Sequence, residues 1–245
     1  MEQETLIVKD KKLVGKREHY SNCHKEFFNS LAGYKRCTLS IEEIEGISRE
    51  EFWKQYARKG AVGLVGGTLW IHRAICEAQA LVTPDKKPSL WAHAFLFTGK
   101  RPDGHDWIAE SDITVELLRR RIINGAQENR IDKYYGTEKT LHCAVLDFGL
   151  SDPDADKIIQ KALDMVTQKI MYSISGLFGT LFAYLFGTEK WRNLWNTRDA
   201  LYCSGFVQEA YLAAGIDLAR DVATTHTGPE HLWQTKVPHK TYVLK

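Results

Sequence analysis

The stretch LWAHAFLFTGKRPDGHDWIAES, residues 90–111, decides how this chain is read. Its two halves are rich in aromatic and aliphatic residues. Between them KRPDG has the Pro and Asp-Gly chemistry of a tight reversal, so the pattern predicts an antiparallel hairpin. Two residues in it stand out. His93 lies in the middle of WAHAFLF, where an apolar side chain would be the simple choice, and Glu110 ends the second run. Across a hairpin the two can approach, and a carboxylate beside an imidazole can hold the ring in its working tautomer, as the third member of a triad does. Taken singly, each has a plainer reading: a strand histidine is more often a core or edge residue, and Glu110 is a carboxylate at a strand end.

Upstream, Pro84 and Pro88 bracket the charged turn TPDKKP. Further back, Ser48 followed by Glu51 is a capping-box pattern, with Phe52, Trp53 and Tyr56 on one helical face. Residues 1–60 read as a polar, helical N-terminal extension, and 61–245 as the main domain. Downstream, LHCAVLDFGL reads as a strand. Ser151 or Asp152 then caps a helix with Pro153 in its first turn, and Ile158, Ile159, Ala162, Leu163, Val166 and Ile170 recur at helical spacing. Tyr202 to Ala214 reads as a second amphipathic helix closed by Gly215, and KTYVLK as a final strand. Strands and helices come in separate blocks, which favours α+β over a doubly wound sheet.

Composition bounds the partners. The chain has 33 Lys and Arg against 31 Asp and Glu and no basic block, so a nucleic-acid partner is not expected. The N-terminus lacks the apolar run of a secretory signal, which places the protein in the cytoplasm unless it leaves by a route without a signal peptide. Cys23, Cys37, Cys76, Cys143 and Cys203 are odd in number and lack framework spacing, so they read as free thiols. Ile170 to Gly187 contains no charged residue but carries three glycines and several hydroxyls. It reads as a buried segment, ahead of a substrate-pocket wall, a membrane-surface patch or a membrane span.

Cys203 sits where the approach ALY turns into a helix, and free N–H groups at a helix start favour a thiolate and could hold an oxyanion. An isolated cysteine there is usually structural. The other chemical candidates are weaker. His72 and Cys76, four apart, lack two further ligands for a metal, as do Cys23, His24 and Cys37. GLVGGTLW lacks the Lys-Ser/Thr ending of a phosphate loop, and its glycines read as a tight turn. His142 and Cys143 are strand neighbours and point to opposite faces.

The segments WAHAFLFTG, WIAES and YCSGFVQEAY, in that order, resemble the permuted members of the NlpC/P60 superfamily, the papain-like group that includes YiiX/YaeF-type proteins. In that resemblance His93 matches the family histidine, Glu110 the acidic third position and Cys203 the nucleophile. YSISGLFGTLF and the Pro229 segment TGPEHLWQT are similar to stretches flanking the family cysteine. The order His, Glu, Cys is the circularly permuted one. The chain departs from the pattern at Ser111, at Gly205 after Cys-Ser, and at Trp91, Ala92, Ala94 and Phe95 around the histidine.

What the resemblance implies is a circularly permuted papain-like α+β fold, with an antiparallel sheet packed against the cysteine helix. It implies a cysteine hydrolase that cleaves an amide or ester bond through an acyl-enzyme on Cys203, with no cofactor and no metal. The substrate expected is peptide-like or lipid-like, and membrane contact is not favoured. A lipid acyltransferase or lipase of the same fold, or a catalytically silent ligand-binding module, are the alternatives.

Overall fold

The computed structural model describes residues 40–116, 121–136, 140–170 and 203–245, all within one compact unit, Cys37–Lys245. Its elements are β1 (Ser40–Ile44), α1 (Arg49–Tyr56), β2 (Val62–Gly67), α2 (Trp70–Ala78), β3 (His93–Lys100), β4 (Asp106–Glu116), β5 (Arg121–Arg130), β6 (Thr140–Asp147), α3 (Asp152–Thr167), α4 (Cys203–Leu212), α5 (Pro229–Trp233) and β7 (Lys240–Leu244). The seven strands form one sheet in the order β1-β7-β6-β2-β3-β4-β5. The architecture is α+β.

The hairpin of residues 90–111 is β3 and β4, antiparallel, with Leu96 opposite Ala109 and a register shift between Phe97 and Gly99. Beyond Glu110 the second strand continues to Glu116, so the acid lies within β4 and not at its end. The sheet is mixed where an antiparallel one was expected: β1 runs parallel to β7, pairing Ser40 with Lys240. The boundary expected at residue 60 also needs correction. Ser40–Tyr56 supplies an edge strand and a helix to this unit, and Phe52 and Trp53 of α1 are fully buried against Phe95, Phe97 and Val145. The polar composition of that segment hid two large aromatic anchors. Residues 1–39 of the expected extension lie outside the described residues.

The capping box expected at Ser48 forms, with the Ser48 side chain and the Glu51 side chain each bonding the other's backbone N–H. Ser151 caps α3, with Pro153 in the first turn. The glycines of AVGLVGG lie in strand β2 and not in a turn. A Cβ on Gly63 would come within 2.1 Å of the Phe95 ring, and one on Gly66 within 2.0 Å of the Leu90 carbonyl. They are glycines because neighbouring chain passes too close for a side chain. Both faces of β3 are covered: Phe95 and Phe97 lie in the aromatic cluster with α1, and the alternate Ala94 and Leu96 are equally buried. Helices α3 and α4 pack on each other, and α4 packs on β3 and β4. Of the apolar run Ile170–Gly187, all but Ile170 lies outside the described residues. Among the described residues, no helix is long and apolar enough to cross a membrane.

Candidate active site

The site is assembled at the start of β3. Residues 89–92 are pinned before the strand begins: the Gln79 side chain donates to the Trp91 carbonyl at 2.7 Å, and the Trp91 N–H donates to Ser89 Oγ at 3.0 Å. Ser89 Oγ donates in turn to Glu230 Oε2 at 2.6 Å, and the Glu230 N–H to Gln79 Oε1 at 2.7 Å, which ties α5 to the same segment. The Ala92 N–H donates to the Val65 carbonyl of β2 at 2.9 Å. The chain therefore enters β3 fixed on several sides, and His93 is its first residue.

His93 Nε2 and Glu110 Oε2 are 2.7 Å apart. With Nε2 committed to the carboxylate, Nδ1 is the nitrogen left for sulfur, and the Cys203 sulfur and the ring act on each other's charge. Cys203 opens α4, where its sulfur lies 3.7 Å from Ser204 Oγ. The structure thus brings His93, Glu110 and Cys203 together from three elements. The thiol is 5% exposed, the histidine 8% and the acid not at all.

Electrostatics favour an ion pair. Burial alone would pull the His93 imidazole down, but the Cys203 sulfur, then Glu110 and Asp112, push it well above its ordinary value. Burial likewise pushes the Cys203 thiol up, and the His93 charge and its hydrogen bond, with those from Ala94 and Ser204, bring it below the ordinary thiol value. Both shifts favour thiolate beside imidazolium, the form in which sulfur is a nucleophile.

Glu110 is held by more than His93. Tyr134 Oη donates to Oε2 at 2.7 Å, and Asn129 Nδ2 and Lys133 Nζ each donate to Oε1 at 2.7 Å. Burial would raise this carboxyl; Lys133 first, then His93, hold it well below the usual carboxylate range. An unpaired carboxylate at this depth would cost on the order of several kcal/mol. Tyr134 is itself set by stacking on Phe95, with ring centroids 4.8 Å apart and planes 7° from parallel. That stack occupies the space the missing Gly63 side chain leaves open. Asn129, Lys133 and Tyr134 were not visible to sequence reasoning. They come from β5 and the 3-10 turn Ile131–Tyr134, and RIINGAQENR has neither alternation nor a motif to flag it.

His93, Glu110 and Asp112 each offer a donor atom within 4.8 Å of the others, a spacing that could hold a cation. The Lys133 ammonium already lies on both carboxylates, 2.6 Å from Asp112 Oδ2, and supplies the positive charge there. The His72 and Cys76 pair falls on α2. The Cys76 thiol is pushed up to about 12 by burial, which makes it a poor metal ligand, and the His72 imidazole is pulled down to about 4 by burial and by the charge of His93. His72 therefore faces the site as a neutral ring. Cys76, Cys143 and Cys203 are all free thiols. No protein-family model and no curated protein matches this chain.

Proposed function

We propose that the protein is a cysteine hydrolase of circularly permuted papain-like fold, cleaving an amide or ester bond through a Cys203–His93–Glu110 triad. The observation that carries this reading is the meeting of a lowered thiol at a helix start, an imidazole and a buried carboxylate, 2.7 Å from ring to acid. In the proposed cycle the Cys203 sulfur attacks the carbonyl carbon, and the oxyanion is held by the Cys203 backbone N–H at the start of α4. His93 gives its proton to the leaving amine or alcohol as the C–N or C–O bond breaks. Water then gives a proton to His93 and its OH to the thioester carbon as the C–S bond breaks, releasing the acid and restoring thiolate beside imidazolium. An alcohol or amine in place of water makes the same site an acyl transferase. Glu110 keeps its charge throughout and holds Nε2–H. The substrate class in this reading is a peptide-like amide or a lipid-like acyl group.

One observation favours the second reading, a catalytically silent binding module: the sulfur and the ring are nearly sealed from solvent. Cysteine-resolved labelling separates the two. With iodoacetamide at about pH 6, a thiolate beside imidazolium labels far ahead of an ordinary thiol of pKa about 8.5. The hydrolase reading expects Cys203 to label first, and a nitrophenyl ester to release a burst of one nitrophenolate per chain while the acyl group stays on Cys203. Labelling of Cys203 no faster than Cys76 or Cys143 sinks it.

A further inference from the structure

Five charged groups run in a row of alternating sign through this site: Cys203, His93, Glu110, Lys133 and Asp112. The first three are the proposed triad, and the last two have no role in it so far. Lys133 Nζ bonds Glu110 Oε1 at 2.7 Å and Asp112 Oδ2 at 2.6 Å, so one ammonium joins two carboxylates. It holds the oxygen of Glu110 that faces away from His93, together with Asn129 Nδ2. The other oxygen is left to His93 Nε2 and Tyr134 Oη.

We propose that Lys133 is a positioning residue of the triad, clamping the far oxygen of Glu110 so that the near one stays a pure acceptor aimed at His93, with Asp112 tempering its charge. This rests on the reading of Cys203 and His93 as the reactive pair. A carboxylate held at one oxygen only can turn about its last carbon–carbon bond, and an uncompensated one competes with the imidazole for its proton. The ammonium prevents both. It fixes the carboxylate plane from the side opposite the ring, and its charge lowers the proton affinity of Glu110.

The charge arrangement gives this role a signature that a mere structural staple lacks. Among the described residues the titratable groups acting on Glu110 and Lys133 are His93 from β3, Asp112 from β4 and Tyr134 from the turn; Cys203 from α4 and His72 from α2 act on His93, and Asn129 from β5 is neutral. His72, pulled down to about 4, carries no charge at the pH values that matter. Removing the Lys133 charge leaves Glu110 and Asp112 uncompensated, with donor atoms within 4.8 Å of each other and of the ring. Two bare negative charges hold protons more tightly on both sulfur and imidazole, so the thiol and the ring each lose theirs at higher pH. Removing the Asp112 charge acts in the opposite sense.

The test is the pH profile of Cys203 alkylation by iodoacetate on the full chain. This anionic reagent reacts with the thiolate while the ring beside it is positive, so its profile has an acid and an alkaline limb. Lys133→Met is expected to move both limbs to higher pH and, at about pH 6, to slow labelling roughly tenfold. Asp112→Asn is expected to move both limbs to lower pH, by about half a pH unit. Lys133→Arg, which keeps charge and donors, should retain the wild-type limbs. Asp112 is half-buried, so Asp112→Asn carries the test if Lys133→Met does not fold. Limbs that stay at wild-type pH in both Asp112→Asn and any folded Lys133→Met protein overturn the proposal while leaving the triad reading intact. A wild-type Cys203 that reacts only above about pH 8 overturns both.

Discussion

Cys76 and Cys203 are buried to the same degree, 4% and 5% exposed, yet their surroundings drive them in opposite directions. The Cys76 thiol on α2 is pushed up to about 12, by burial first and then by the negative charges of Glu230 and Glu77. Cys203 meets the same burial penalty and ends below its ordinary value, because His93 stands beside it. Cys143 makes a third case. It too is pushed up to about 12 by burial, although the Arg49 guanidinium opposes this. Burial silences a thiol, and a single cation does not always undo it: Arg49 fails to at Cys143, whereas at Cys203 the His93 charge acts together with Ala94 and Ser204 and prevails. Among the described residues, Glu230 and Glu110 are both fully buried acids with different anchoring. Glu230 accepts from the neutral Ser89 and Gln234, at 2.6 and 2.8 Å, and staples α5 to the approach of β3. Glu110 is reached by an imidazole and an ammonium and is wired through the first of these to sulfur.

The contrast can be broken most sharply at His93. His93→Ala should return Cys203 to the class of Cys76, slowing its iodoacetamide labelling at about pH 6 on the order of a hundredfold, as read by mass spectrometry. Labelling that persists in this variant puts the source of reactivity elsewhere. Next comes Glu110→Gln, which leaves the Lys133 and Asn129 donors facing an amide and should cost about 3 kcal/mol in urea unfolding. The pH dependence has a definite sign. The Glu110 carboxyl sits lower in the folded than in the unfolded chain, so its contribution is complete above about pH 4.3 and drains away as pH falls. In Glu110→Gln that acid-side loss is missing, and an unchanged slope between about pH 7 and pH 3 would contradict the assignment.

Gly63→Ala should cost about 1–3 kcal/mol, because the added methyl meets the Phe95 ring that stacks on Tyr134. Thermal melting and labelling should both respond, since the displaced ring supports the Tyr134 bond to Glu110. The smallest effect is expected from Glu230→Gln. The amide keeps an acceptor for Ser89, so stability should change by only about 1 kcal/mol, and Cys203 labelling should hold at the wild-type rate. A change in that rate would mean that the two buried acids act as one network.

Much of the frame was legible in the sequence, and particular residues show why. The KRPDG reversal, the Ser48–Glu51 box and the Ser151-Asp-Pro start are local signals, and each forms as read. His93 was legible because a polar residue breaks an otherwise apolar strand pattern, and Glu110 because a hairpin can carry a carboxylate to that ring. The rest depended on contacts that the chain does not announce. Gly63 looked like a turn residue because the Phe95 ring that excludes its side chain lies on another strand. Asn129, Lys133 and Tyr134 reach Glu110 from a polar edge strand and a short turn, and no spacing rule links them to it. Residues 40–60 read as an appendage, because a five-residue strand with two glutamates carries little apolar weight. Its place is set by β7, distant in sequence.

That last pairing has a kinetic consequence. β7 lies inside the sheet between β1 and β6, although it is the last strand in sequence. During synthesis, at roughly 5–20 residues per second, β1 must wait about ten seconds or more for its partner β7 to be made. Until then β6 presents an open rim, and such long-range closure is slow and exposed to misassembly with other nascent chains. The glutamates of β1 and the shortness of that strand keep the waiting segment soluble, which makes its meagre apolar content an asset on the ribosome.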